Sequence, residues 1–214
     1  MSSSVFASSD AGVPDGPIEW GAAARARLGQ VTTGDHAVVV SRPGGALVAA
    51  LDGLGHGVEA ARAADTAGQL VRAFAGADLI ALVRRCHEAL RPTRGAAISL
   101  ARVCEHEETV TWLGIGSVEG RLVSGDPLAP GPKASLRLFR GTPGRELPGL
   151  ATATLAVRRG DMLLFGTDGV GAGFADSLDV SGRPRAVAER VLAAHRKGTH
   201  DALVLAARYL GPRP

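Results

Sequence analysis

Cysteine is nearly absent from this chain. The two present in 214 residues, Cys86 and Cys104, stand alone, with no metal or redox spacing around them. That excludes a disulfide-held scaffold and reads as buried thiols in a reducing compartment. Aromatic residues are also scarce, 4% against a hydrophobic content of 45%, so the core must be built from Ala, Val and Leu. No apolar run approaches the about 18 residues that a membrane-crossing helix needs. The opening Met1-Ser2-Ser3-Ser4-Val5-Phe6 lacks both a basic and an apolar signal region, so no secretory leader is expected. Charge of one sign is missing too: 24 basic residues face 21 acidic ones, and the arginines are scattered rather than striped. These absences argue against nucleic-acid and membrane partners and lead to the expectation of a soluble, cytoplasmic protein. The length suffices for one sizeable core.

What is there centres on Ala50-Leu51-Asp52-Gly53-Leu54-Gly55-His56-Gly57. An apolar strand pattern, Ala46 to Leu51, runs into a carboxylate; three glycines follow and a helical pattern begins. A chain does this where a strand end holds a charge out of the sheet and backbone must approach something closely. Alone, the octapeptide also fits an ordinary glycine-rich turn. The preceding strand, Asp35 to Val40, separates the readings. Ser41-Arg42-Pro43-Gly44-Gly45 is a strong turn signal between two strand-like runs, which predicts a hairpin. With the turn centred between Pro43 and Gly44, Asp35 falls opposite Asp52, with Cβ atoms about 4.5–5.5 Å apart. Two like charges so placed are destabilising unless a cation lies between them. No lysine or arginine adjoins either one, which points to a bound cation, and oxygen-only ligands suit magnesium, manganese or calcium rather than zinc.

Taken in order, residues 1–16 are rich in Ser, Gly, Pro and Asp and are expected to form a flexible N-terminal tail before a single domain over 17–214. Ile18 to Leu28 predicts a first strand, although Ala22 to Ala26 would also tolerate helix. Val58 to Phe74 has helical spacing, with His56 and Gly57 at its N-terminus, where free N–H groups favour an anion. Asp78 is placed to cap a second helix ending near Leu90. Gly95 to Cys104 and Thr109 to Gly114 form a strand pair, Ser117 to Ser124 a further edge, and Gly125 to Lys133 a loop. Leu136 to Arg140 and Ala153 to Val157 read as short strands. Arg158-Arg159-Gly160-Asp161 reads as a tight hairpin turn, in which Asp161 serves only the turn. Met162 to Phe165 then runs out into Gly166-Thr167-Asp168-Gly169, again an apolar strand ending in Asp-Gly, where a lone buried carboxylate would be costly. A helix from about Pro184 to Ala194 precedes His200-Asp201 and a last strand, Ala202 to Tyr209. Asp168 and Asp201 meet at one sheet edge if their strands are antiparallel neighbours.

In order, Asp35 after Gly34, Leu51-Asp52-Gly53-Leu54-Gly55-His56-Gly57, Leu163 to Val170 and His200-Asp201-Ala202 resemble the metal-binding motifs of the PPM-type protein phosphatases. These are the metal-dependent serine/threonine phosphatases of the type 2C superfamily, and the SpoIIE-like branch is the nearest in pattern. Trp112 to Gly120 is similar to a segment of the small single-domain RsbX-type members that service stressosomes. The resemblance spans roughly Ile18 to Leu210. It implies an α+β fold, a four-layer αββα sandwich whose two central antiparallel sheets are flanked by helices. It further implies two manganese or magnesium ions held by residues matching Asp35, Asp52 (bridging), the Gly53 carbonyl and Asp168. The family closes its set with Asp-Asp or Asp-Asn where this chain has His200-Asp201. Either His200 is an unusual ligand, Asp201 shifts to serve, or the second site is weak.

The implied chemistry is metal-assisted hydrolysis, in which two hard cations make hydroxide available near neutral pH and clamp the phosphate oxygens for in-line attack. Asp52 is then central to catalysis, and His56 is a candidate general acid, or else a histidine packing the turn. Neither cysteine has a nucleophile's context. Arg25 and Arg27 are both candidates for holding phosphate. The implied activity is hydrolysis of phosphoserine or phosphothreonine on a bacterial signalling partner, of the STAS-domain or stressosome type in a stress-response or anti-sigma pathway, by a monomeric enzyme. The alternative is a catalytically weak module that binds a phosphorylated regulator, and a small phosphorylated metabolite would be met by the same metal site.

Overall fold

Alternating and fully apolar runs give strands and helices that assemble two six-stranded sheets. The computed structural model describes residues 4–8, 16–126, 128, 132–176 and 178–212. The first sheet runs β1 (Ser4–Ser8), β2 (Ile18–Arg25), β12 (Ala202–Tyr209), β11 (Met162–Gly166), β7 (Glu119–Val123) and β8 (Pro132–Ser135). The second runs β10 (Ala153–Ala156), β6 (Thr109–Ile115), β5 (Ala96–Cys104), β4 (Gly45–Gly53) and β3 (Asp35–Arg42), with β9 (Leu138–Phe139) added parallel to β6. Every other pairing is antiparallel. The β3–β4 hairpin has the register its turn dictates, Arg42 opposite Gly45 and Asp35 opposite Asp52.

Three helices complete the α+β fold among the described residues: α1 (Gly57–Ala73), α2 (Leu79–Leu90) and α3 (Pro184–His195). α1 buries Ala60, Ala63, Ala64, Ala67, Gly68 and Val71, a stripe at helical spacing made almost wholly of small side chains. Such a stripe lets the helix lie close to the sheet. At its N-terminal end a Cβ on Gly53 would sit 1.9 Å from the Ala60 carbonyl oxygen, so only glycine follows Asp52. α2 begins where the Asp78 carboxylate accepts from the Ile80 and Ala81 N–H groups. α3 starts at Pro184, whose missing N–H costs nothing there.

The core falls into three apolar clusters. One joins both sheets, including Ala24, Val48, Ala101, Phe165 and Leu205. A second packs α1 and α2 on the β3–β6 sheet through Leu51, Val71, Leu82, Leu90 and Leu100. The third packs α3 on the other sheet through Val187, Val191, Leu164 and Val204. Each fully buried aliphatic side chain contributes roughly 1.5–3 kcal/mol, so Ala, Val and Leu in quantity substitute for the missing aromatics. No helix among the described residues is long and apolar enough to cross a membrane.

The structure departs from the sequence reading in four places. Ser4–Ser8, inside the stretch expected to be a flexible tail, pairs with β2 as β1, while residues 1–3 and 9–15 of that stretch lie outside the described residues. β10 and β11 do not form the expected hairpin: β10 pairs β6 in one sheet, and β11 sits between β12 and β7 in the other. Burial decides this, because β11 is buried throughout and needs neighbours on both sides, whereas β10 is mostly exposed and suits an edge. For the same reason Ser117 to Ser124 is not an edge; its core, β7, lies between β11 and β8. Asp161 does more than shape a turn. It is buried and accepts from the Arg158 and Gly125 N–H groups and from Lys133, whose segment, expected to be loop, is β8.

Candidate metal centre

The starts of β3 and β12 and the ends of β4 and β11 converge at one end of the two sheets. β11 and β12 are antiparallel neighbours, Gly166 opposite Val204, so Asp168 just past one strand and Asp201 just before the other come to the same edge. A Cβ on Gly169 would lie 1.9 Å from the Asp201 carbonyl oxygen. Both Asp-Gly pairs therefore use glycine for the same purpose, to let another backbone pass directly behind the carboxylate.

A cavity of about 360 Å³ opens here, lined by Asp52, Asp168, Asp201, His56, His200, Arg27, Ser117, Leu54 and Gly55. Of the residues singled out in the sequence, Asp35 and Gly53 lie behind its wall instead. Asp35 is 6% exposed; its Oδ2 accepts from the Thr167 hydroxyl at 2.7 Å, and Thr167 Oγ1 in turn accepts from Leu203 N–H at 2.9 Å. Asp35 Oδ1 is buried with no hydrogen-bond partner. Burial, and then the facing Asp52 charge, push the Asp35 carboxyl well above the usual carboxylate range, against the Thr167 hydrogen bond. Asp52 accepts from Ser117 Oγ at 3.1 Å. Its carboxyl is pushed up to about 7, chiefly by burial and next by the Asp168 charge.

Asp201 has a different occupation. Its Oδ1 accepts from Arg27 N–H and its Oδ2 from Gly34 N–H, each at 2.7 Å. The carboxylate clips both ends of the loop between β2 and β3, and Gly34 O accepts from Gly53 N–H at 3.0 Å, tying the same loop to β4. His200, beside it, is exposed on the cavity wall, its Nδ1 2.9 Å from Thr199 Oγ1. His56 caps α1 by its backbone position, with no side-chain cap bond, which leaves the imidazole to the cavity. Lys197 steadies the Asp168 turn from outside: its Nζ donates to the Asp168 carbonyl and its N–H to the Gly169 carbonyl.

Thr167 and Ser117 are the polar partners that sequence reasoning did not single out as site residues. Thr167 stood inside the quoted Gly-Thr-Asp-Gly motif, so a signal existed. Ser117 stood inside the quoted Trp112–Gly120 segment, but nothing there tied it to Asp52, which lies 65 residues away. The structure also separates the two arginines: Arg27 lines this cavity, and Arg25 lines another with Glu189 and Arg196.

None of the four aspartates, Asp35, Asp52, Asp168 and Asp201, forms an ion pair among the described residues. Nor do three His, Cys, Asp or Glu side chains among those residues stand close enough together to hold a metal as they are placed. The fit to a hard dication rests instead on the donor set. The carboxylates repel one another, one Asp35 oxygen is orphaned in the interior, and burial with neighbouring charge raises the Asp35 and Asp52 carboxyls, a cost that a bound cation would relieve.

Solved structures share this fold. One, from work on the bacterial stressosome as a modular system adapted to control secondary messenger signalling, is 27% identical over 89% of this chain and 99% of its own, with a TM-score of 0.82. RsbX in complex with magnesium is 20% identical over 89% of this chain and 94% of its own, TM-score 0.76. The catalytic domain of the serine/threonine protein phosphatase PstP in complex with two manganese ions is 15% identical over 90% of this chain and 98% of its own, TM-score 0.69. No curated protein matches the chain. Residues 42–209, which carry the chain from the end of β3 through β12, match the family Stage II sporulation protein E (SpoIIE), and the chain therefore belongs to this family.

Proposed function

We propose that this chain is a metal-dependent phosphatase that hydrolyses phosphoserine or phosphothreonine on a bacterial signalling protein, of the stressosome or anti-sigma type. The observation that carries this reading is the set of four aspartates gathered at one end of the sheets without an ion pair among the described residues, the Asp35 and Asp52 carboxyls raised above the usual carboxylate range by burial and by neighbouring carboxylates. Asp35, Asp52, Asp168 and the Gly53 carbonyl would hold two manganese or magnesium ions. When bound, the pair supplies Lewis acidity toward water and neutralises charge on the phosphoryl oxygens. RsbX with magnesium and PstP with two manganese ions support that choice of cation. Ser117 orients the Asp52 carboxylate, and Thr167 fixes Asp35 against β12. Arg27 is placed to meet the phosphoryl group, and His56 to give a proton to the leaving serine or threonine oxygen. The single-domain reading over 17–214 and the four-layer αββα arrangement belong to the same proposal, and the three apolar clusters support it.

His200 favours a second reading, a phosphoprotein-binding module with weak turnover. Both Asp201 oxygens are engaged by backbone N–H groups, so the imidazole, not a second free carboxylate, faces the cavity at this corner. Phosphate release from a phosphoserine peptide, with and without manganese, separates the two. Manganese-dependent turnover supports the phosphatase; binding without turnover supports the module.

A further inference from the structure

Six large hydrophobic side chains are exposed among the described residues, and four of them stand on the segments that supply lining residues of the carboxylate cavity: Leu28 (71% exposed), Val31 (76%), Leu54 (37%) and Val58 (73%). Leu54 lines the cavity itself. Leu28 and Val31 stand on the loop whose two ends, Arg27 and Gly34, are clipped by Asp201. Val58 is the second residue of α1, two residues after His56. Loop and helix are adjacent, because a Cβ on Gly57 would lie 3.3 Å from Gln30 Oε1. Single exposed aliphatic side chains need no explanation. Four on the segments beside one opening, carried by a loop clipped at both ends and a helix start, mark a contact surface.

Charge says what kind of contact. Gly55, at a φ of +103°, lines the cavity, and a Cβ there would sit 2.6 Å from Arg94 Nη1, so the Arg94 guanidinium lies against the rim. The Arg94 backbone is pinned, since Leu54 N–H donates to Gly95 O at 3.0 Å. Neither the Arg94 guanidinium nor that of Arg27 has a hydrogen-bond or ion-pair partner among the described residues. The opening thus presents two uncommitted guanidinium groups within an apolar border.

We propose that this mouth is the docking surface for a phosphorylated protein segment that carries aliphatic side chains on both sides of its phosphoserine or phosphothreonine. Arg27 and Arg94 meet the phosphoryl group, and Leu28, Val31, Leu54 and Val58 cover the flanks. This rests on the phosphatase reading above and deepens it. A small phosphorylated metabolite fits within the cavity and leaves the border uncovered. A second copy placed symmetrically would set the same arginines against each other, which like charges oppose.

The test uses two peptides carrying a non-hydrolysable phosphonate analogue of phosphoserine, one flanked by leucines and one by serines. Their binding to the manganese-loaded full chain is read by fluorescence anisotropy, and p-nitrophenyl phosphate hydrolysis is followed in parallel. The leucine-flanked peptide binds roughly tenfold more tightly or better, the gain from burying one or two aliphatic side chains. Leu28→Ser with Val31→Ser removes most of that gain and leaves p-nitrophenyl phosphate hydrolysis unchanged; both side chains are exposed, so the fold does not depend on them. Arg94→Ala weakens both peptides by the same factor. Equal binding of the two peptides overturns the proposal, as does a double variant that binds as the parent does. A dimer in sedimentation that the double variant dissolves also overturns it, in favour of a second copy. Flank-dependent binding without any hydrolysis overturns the phosphatase reading alone and leaves the docking surface standing.

Discussion

Replacing Asp52 by Asn should stabilise the metal-free protein, and should do so only where Asp52 would be ionised. The Asp52 carboxyl is held up to about 7, against 3.8 for an unperturbed aspartate, mainly by burial and the Asp168 charge. The fold therefore keeps a proton that the unfolded chain has already lost between those two values. Over that window each rise in pH favours unfolding, and above about 7 the penalty is complete. At about 1.36 kcal/mol per pH unit the ceiling is roughly 4 kcal/mol. Asn must still be desolvated, although it can keep the hydrogen bond from Ser117, so a gain on the order of 2 kcal/mol is expected. For a chain of this size that raises the melting temperature by about 4–8 °C. The assay is thermal unfolding of metal-stripped parent and Asp52→Asn at pH 4.5 and 8.5. The variant should lead at pH 8.5 and lose most of the lead at pH 4.5. A lead of equal size at both values, or a variant less stable than the parent at pH 8.5, would refute the reasoning.

Other expectations follow from single contacts. Thr167→Val leaves Asp35 Oδ2 and Leu203 N–H without their shared partner, so urea unfolding should show a loss of about 1–3 kcal/mol; an unchanged midpoint would contradict the link between Asp35 and β12. His56→Ala should slow turnover of serine phosphate far more than that of p-nitrophenyl phosphate, whose leaving group needs no proton, whereas equal losses would mark His56 as structural. His200→Asp adds a carboxylate to the cavity wall and should tighten manganese binding and improve use of magnesium in calorimetric titrations. Unchanged affinity would place His200 outside any coordination shell.

The parts of the site legible in the sequence are those set by local chemistry. Pro43-Gly44-Gly45 fixes the β3–β4 turn, and the turn fixes the register, so the Asp35–Asp52 pair could be counted out residue by residue. The second pair, Asp168 and Asp201, was legible only conditionally, because it depends on β11 and β12 being neighbours. Pairings between sheets were not legible. A turn such as Arg158–Asp161 looks the same whether it joins hairpin partners or carries the chain from an edge strand of one sheet to the interior of the other. What decides is the burial of β11 on both sides, which a short apolar run does not disclose. The same limit hid Asp161's bonds to Lys133 and Gly125, and Ser117's bond to Asp52. The division of labour between His200 and Asp201 was likewise out of reach, since the backbone N–H groups that occupy Asp201 belong to Arg27 and Gly34, far away in sequence.

Uptake of divalent cations in exchange for protons at the carboxylate end of the sheets can be measured directly. Calorimetric titration of manganese into the metal-stripped protein at pH 6.5, repeated in buffers of different ionisation enthalpy, measures both at once. Saturable binding with net proton release is expected, because a cation drives the Asp52 carboxyl, raised to about 7, and the raised Asp35 carboxyl into their ionised forms. Asp52→Asn should bind more weakly and release fewer protons. Absence of saturable binding, or binding whose heat is the same in every buffer, would contradict this exchange.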